Sequence, residues 1–338
     1  MNNSSPVLIR FYSHCSYSID RLFNGDAPAS RRSQQTDWRV VARGNLTMSS
    51  IINVSTASEL LTALRSATGG ETILLAPGDY GTLELYDARQ PFVKFASEVT
   101  ITSADPDNPA SFSEMRLSGV ENLTFDSVVF DYTADEGAPE YVRPFTVENC
   151  SGLTIQNSEF NGDLASGLGE AYDGYATGYG LTVAHSTDIT IDNNEFFDFK
   201  RGAVFNDISN LEVTNNDVHD LRSDGFDFAQ VTNVLIEGNH IHDFRTAPGS
   251  ADHPDMIQFF TNGTTSPSTD VVITGNFLDS GDGSATQSIF MRNDMVDRGL
   301  AGPEMYYQNI TIENNVIYNA HGNGITVGET NGLTITNN

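Results

Sequence analysis

Lysine is nearly missing from this chain: Lys94 and Lys200 are the only two in 338 residues. Arginine does not make up the deficit, since 17 basic residues face 45 acidic ones and the formal net charge is -28. A nucleic-acid binder displaces phosphate counterions with a basic face, and this balance excludes that class. Anionic membrane surfaces are disfavoured for the same reason, and no apolar run approaches the roughly 20 residues a membrane span needs. Cysteine is scarce too. Cys15 and Cys150 are the only two, so no disulfide framework follows and the cysteines do not reveal the compartment. Residues 1–47 lack the continuous apolar stretch of a secretory signal.

What is present suffices for a large core, with 38% hydrophobic and 10% aromatic residues. The acidic, lysine-poor surface suits a salty or calcium-containing exterior, or serves solubility alone. Two parts differ in quality. Residues 1–47 carry six arginines and three aspartates, a net of +3 that leaves -31 for the remainder. They show no sustained apolar period and read as a disordered leader or a segment upstream of the natural start. From residue 48 to 338 the chain is well patterned. "STASELLTALRSATGG" opens it with a short amphipathic helix, capped by Ser58 and nearby polar residues, carrying Leu60, Leu61 and Leu64 and closed by Gly69-Gly70. Such a helix would cover the open end of a stacked sheet.

A repeat then dominates. "LTFDSVVF" begins at Leu123, "LTIQNSEF" at Leu153, "ITIDNNEF" at Ile189, "LEVTNNDV" at Leu211 and "VLIEGNHI" at Val234. "VVITGNFL" follows at Val271, "ITIENNVI" at Ile310 and "LTITNN" at Leu333. The shortest steps, 22 and 23, set the unit, and longer steps add loops. Each unit has a period-2 apolar strand and then a corner. Asn157, Asn193, Asn215, Asn314 and Asn337 share one corner position with Gly238 and Gly275, as expected where φ must be positive. The next position holds Asn194, Asn216, Asn239, Asn276, Asn315 and Asn338, whose amides can bond their neighbours above and below. Short strands stacked about 4.8 Å apart in coils of this length form a parallel β-helix, and its expected hand is right. Ending inside a corner, at Asn338, the chain is expected to be truncated at its C-terminus.

Each coil has a second strand. Its inward positions, Leu181, Phe226, Ile257, Ile289 and Ile325, are apolar. Its outward column runs Thr182, Val204, Asp227, Gln258, Phe290, Thr326, and its entrance column runs Tyr179, Arg201, Asp224, Asp255, Gln287, Asn323. The loops 161–178, 245–254, 261–268 and 292–306 cluster nearby and are expected to wall a groove over this floor, the shape that takes an extended polymer. His253, just before Pro254, is hard to explain by structure alone. Asp224 and Asp255 could instead be turn residues bonding backbone amides. His219 and His242, in "VHDL" and "IHDF" corners, read as a solvated ladder, with a metal-binding role as the alternative.

From Ser55 onward the chain resembles β-helical polysaccharide lyases and mannuronan C5-epimerases. "ASELLTALRSATGGETILLAPGDYG" is similar to the opening of chondroitinase-B-type and alginate-lyase-type helices. "DGFDFAQ" resembles the epimerase signature Tyr-Gly-Phe-Asp-Pro-His-Glu, with Asp227 in place of the signature aspartate, while the tyrosine falls on Asp224 and the histidine on Ala229. A second likeness is to polygalacturonase-type hydrolases, through "SDGFD", "HPDMIQ" and "HGNGITVG", which carry Asp224, Asp255 and His321. The first resemblance implies a lyase or C5-epimerase acting on a uronate polymer such as alginate. His253 would be the base, Asp227 and Asp255 would orient it or hold metal, and Arg292, Gln258 or calcium would neutralise the carboxylate. Arg201, Lys200, Tyr179, Phe260 and His321 are expected to contact substrate. The second implies inversion by Asp224 and Asp255. A non-catalytic, glycan-binding adhesin is the third reading. The expected partner is an acidic polysaccharide met outside the cell by a monomer, with no organic cofactor.

Overall fold

A computed structural model of the chain describes residues 50–318 and 321–338. The expected leader, 1–47, lies outside the described residues. The described chain winds as a parallel β-helix. Its strands form an 18-stranded sheet and a nine-stranded sheet with parallel pairings throughout, plus one small antiparallel pair, Asp163–Leu164 with Ala176–Thr177. The register follows the sequence repeat residue for residue. Leu123 pairs with Leu153, then Ile189, Leu211, Val234, Val271, Ile310 and Leu333. The stack also runs back from Leu123 to Val99, a coil whose sequence lacks the asparagine corner.

The corners behave as their composition requires. Asn157, Asn193, Asn215, Asn314 and Asn337 have φ between 52° and 58°, and Gly238 and Gly275 lie at 67° and 65°. The following asparagines form a buried ladder. Asn194 Nδ2 donates to Asn216 Oδ1 at 3.1 Å, Asn216 to Asn239 at 2.9 Å and Asn239 to Asn276 at 2.9 Å. Each Oδ1 also accepts the backbone N–H of the preceding ladder residue, so these corners leave few polar atoms unmet. Inside, aromatic rings stack coil upon coil: Phe130 on Phe160 at 4.5 Å, and Phe160 on Phe196 at 4.4 Å.

The helix Ala57–Ser66 packs on the strands Ile51–Val54 and Thr72–Leu75 and buries Leu60, Ala63 and Leu64. Its N-cap is Thr56 rather than Ser58: the Thr56 hydroxyl accepts from the Glu59 N–H at 3.2 Å, and the Glu59 carboxylate reaches back to the Ser55 N–H at 2.7 Å. The helix ends on Ala67 in extended conformation, ahead of Gly69-Gly70.

Candidate active site

Five successive second strands build the floor: Tyr179–Asp192, Arg201–Thr214, Phe226–Ala229, Asp255–Phe259 and Gln287–Met291. Their register puts Thr182, Val204, Asp227, Gln258 and Phe290 in one column. Beside the entrance column runs a line of glycines, Gly180, Gly202 and Gly225. A Cβ on Gly225 would lie 2.3 Å from the Met256 carbonyl oxygen, so the close approach of the two coils excludes any side chain there.

The entrance residues join into one hydrogen-bonded chain. Arg201 contacts Asp227 at 2.6 Å and Asp224 at 3.0 Å. Asp224 Oδ1 accepts the backbone N–H of Asp255 at 3.2 Å. Asp255 Oδ2 meets His253 Nδ1 at 3.0 Å and accepts from Gln258 Nε2 at 2.7 Å. Gln287 Nε2 donates to His253 Nε2 at 2.9 Å, and its own carbonyl accepts from Asn323 Nδ2 at 3.1 Å. With Asp255 ionised, this chain sets the imidazole tautomer: Nδ1 carries the proton toward Asp255, and Nε2 keeps its lone pair.

Exposure divides the group sharply. The His253 side chain is 63% exposed, whereas that of Asp255 is 0%. Asp224 and Asp227 are also buried, beside a single guanidinium. Three carboxyls with one cation in a dry site cannot all ionise cheaply. Burial, then the charge of Asp224, pushes Asp255 up to about 7. Burial and Asp224 likewise raise Asp227 well above the carboxylate range, against the pull of Arg201. Among the described residues Asp227 Oδ1 and Asp255 Oδ1 have no hydrogen-bond partner.

Several expected residues take other roles. The groove floor was expected to display Asp227 and Asp255 to solvent; instead both are enclosed, and His253 is the exposed titratable member of the chain. Asp224 bonds a backbone amide, as its turn reading required. Lys200 is buried and paired with Glu140 at 2.8 Å and Asp252 at 3.2 Å, so it is not open to a substrate. Arg222, fully buried, holds the same two carboxylates. These two cations pin the loop that carries His253. Arg292 pairs with Asp297 at 3.0 Å and Asp294 at 3.4 Å, next to the short helix Asp294–Asp297, and does not join His253. His321 Nδ1 accepts the Asn323 N–H at 3.1 Å, and Asn323 links it to the hydrogen-bonded chain through Gln287. Tyr179 is half-buried, with Arg201 5.1 Å from its ring centre, and Phe260 is half-buried just past its strand. The loops 161–178 and 245–254 do wall a hollow, but Tyr175, Asp220, Phe244 and Arg245 line it beside His219 and His242.

Arg143 is the residue that sequence reasoning missed. Register places it one coil before Tyr179 in the entrance column, because Phe145 pairs with Leu181. It is exposed, lies 5.6 Å from the Tyr179 ring centre and makes no ion pair among the described residues. Its signal was legible, since "RPFTV" opens with it.

Comparison with known proteins gives one family: the one described as "Right handed beta helix region" matches residues 144–338, a span that holds every candidate site residue except Arg143. No curated protein matches the chain. Among solved structures, the chain is similar to an alginate lyase from Paenibacillus sp., at 15% identity over 83% of this chain and 99% of that one, with a TM-score of 0.41. A surface adhesin of Streptococcus pneumoniae is similar at 14% identity over 83% and 78%, with a TM-score of 0.48. A pectate lyase from a Bacillus species, in complex with trigalacturonate, is similar at 14% over 83% and 86%, with a TM-score of 0.48.

Proposed function

The chain belongs to the right-handed β-helix family, and on that scaffold we propose that it is a polysaccharide-active enzyme taking the C5 proton from a uronate-containing polymer, as a lyase or a C5-epimerase. One observation carries the reading: an imidazole open to solvent, backed by a buried carboxyl, at the entrance of a parallel strand. A proton beside a carboxylate is weakly acidic, so its removal needs a positioned base and a group that offsets the charge developing in the transition state. His253 Nε2 is the base in this reading. Asp255 fixes the ring and stabilises the imidazolium that forms. Gln287, which now donates to Nε2, must yield when substrate arrives. Arg143 stands four coils away, about 19 Å along the stack, and would hold the carboxylate of a more distant sugar.

The inverting-hydrolase reading is less well supported. Inversion needs two carboxyl groups facing the scissile bond, about 6.5–9.5 Å apart. Asp224 and Asp255 are both buried, and Asp224 is engaged by Arg201 and by the Asp255 amide. The neighbours named above include both lyases and an adhesin, so they do not choose between catalysis and binding. Calcium also fits poorly beside His253. It takes six to eight oxygen ligands, and Arg201 already lies against this carboxylate group. Among the described residues no converging ligand set includes Asp224, Asp227 or Asp255. No step is therefore routed through it. In this reading the polymeric substrate implies action outside the cell.

The test is to incubate the protein with alginate, pectate and glycosaminoglycans, with and without added calcium. Ultraviolet absorbance reads unsaturated ends, a reducing-end assay reads chain cleavage, and proton NMR reads C5 configuration. Elimination or epimerisation that His253→Ala abolishes is the expected result. New reducing ends without ultraviolet product would transfer the protein to the hydrolases, and binding without any turnover would make it an adhesin.

A further inference from the structure

On the nine-stranded sheet, away from His253, the strands Glu195–Phe197, Asp217–His219, His240–His242 and Phe277–Asp279 stack in register. Their first positions read Glu195, Asp217, His240, Phe277. Their third positions read Phe197, His219, His242, Asp279. We propose that this ladder binds a divalent cation of the zinc class through Asp217, His240 and His242, with Glu195 and His219 forming an adjoining set that shares Asp217.

Four observations converge on it. The ligand atoms of Asp217, His240 and His242 all lie within 4.8 Å of one another, and so do those of Glu195, Asp217 and His219. Zinc bound to nitrogen and oxygen at about 2.1 Å holds neighbouring ligands roughly 3.4 Å apart. His242 Nε2 lies 2.9 Å from Asp217 Oδ1, so replacing the shared proton by a metal asks for an opening of about half an ångström there, and for a turn of the His240 ring, now stacked 3.9 Å from His242, to aim its lone pair at the same ion. The second observation is the outer partners. His242 Nδ1 bonds Asp243 at 2.6 Å and His219 Nδ1 bonds Asp220 at 2.8 Å. A carboxylate on the far nitrogen is what orients a metal-binding imidazole and raises its basicity. Both aspartates have positive φ, 51° and 55°, so the turn after each strand aims them back at the ring.

The third observation concerns stacking. The rings form columns, with His219 on Phe197 at 5.4 Å, His242 on His219 at 5.3 Å and His240 on Phe277 at 4.9 Å. Phenylalanine stands at one end of each histidine stack, so stacking alone does not call for imidazole. Histidine stands on the coils where carboxylates stand opposite. The fourth is that His240 Nδ1 already faces Asp217 Oδ1 at 3.5 Å, close to the spacing of two ligands on one ion, while its buried Nε2 has no hydrogen-bond partner among the described residues. Two imidazoles and a carboxylate make a borderline donor set, which suits zinc-class ions over calcium. The set spans two successive coils, and a bound ion would clip them together.

The experiment uses the full chain without any histidine tag. Zinc is titrated by calorimetry, cobalt(II) absorption reports coordination, and thermal melting is followed with and without zinc. One zinc per chain is expected, with a raised melting temperature and little displacement by excess calcium. Asp217→Ala and His242→Phe, the latter keeping the ring column, should abolish binding. Asp243→Asn should weaken it at least about tenfold. His185→Phe, which removes an exposed histidine paired with Asp207 elsewhere, should leave it unchanged. No saturable binding, or binding that survives Asp217→Ala and His242→Phe, overturns the proposal. So does equal loss in the His185 variant.

Discussion

His253 presents a ring to solvent and one nitrogen to a buried carboxyl, and that asymmetry sets what substitutions should do. His253→Ala removes an exposed side chain, so stability should stay within about 0.5 kcal/mol while turnover of the polymer is lost. Circular dichroism with an activity assay separates the two. Asp255 is the pH-sensitive member. Unfolded, it ionises near the ordinary aspartate value of about 3.9; folded, burial and Asp224 hold its proton to about 7. Because the folded value is the higher, its contribution to stability is complete below the unfolded pKa and is lost as pH rises through about 7. Urea unfolding from pH 4 to 8 should show that decline, and Asp255→Asn should flatten it. Activity should run the other way, rising through pH 7 as Asp255 ionises and stabilises the imidazolium. A wild-type profile falling across that interval would contradict the assigned pair.

At the scale of elements, the coils are held by side chains that repeat with them. Asn239 donates to Val213 O and Asn276 Oδ1, and accepts from the amide and side chain of Asn216. Asn239→Ala would strand buried donors and acceptors above and below, at about 1–3 kcal/mol each. A loss of at least about 2 kcal/mol in urea unfolding is expected, and a loss below 0.5 kcal/mol would mean that water replaces the ladder. The glycine line beside the entrance column is a second control. Gly225→Ala should force the coils of Asp224 and Asp255 apart, because the new Cβ meets the Met256 carbonyl oxygen. Destabilisation together with lost activity is expected, and because Gly225 has no positive φ the loss reports the clash with Met256 rather than backbone strain. The pinned loop belongs to this scale as well. Lys200 and Arg222 hold Asp252, the neighbour of His253, so a lysine expected to contact substrate is instead buried in the ion pairs that anchor the loop of His253.

At the scale of the whole molecule, a formal charge of -28 opposes any anionic polymer. If the substrate is a polyuronate, screening should help: KM should fall as salt rises from about 0.01 to 0.15 M, where the Debye length shrinks from about 30 to 8 Å. A KM that climbs with salt would indicate a basic contact surface that this composition does not supply. The repeat was legible without coordinates because a coil is specified locally. Period-2 apolar residues and an asparagine with positive φ recur every 22 or 23 residues, and stacking returns the same contacts each time, so the register from Leu123 to Leu333 could be written down directly. The columns followed from it, including the alignment of Asp227 with Gln258. Burial and partnership did not follow, because they depend on which loop falls over which coil. Glu140 reaches across 60 residues to Lys200 and Arg292 turns to its own short helix, so neither lysine nor arginine could be placed by period alone. The sequence by itself determined the solenoid and the columns. Only the tertiary structure decided which members of those columns meet solvent and which are sealed as neutral or ion-paired groups, since enclosure is a property of the non-repeating loops.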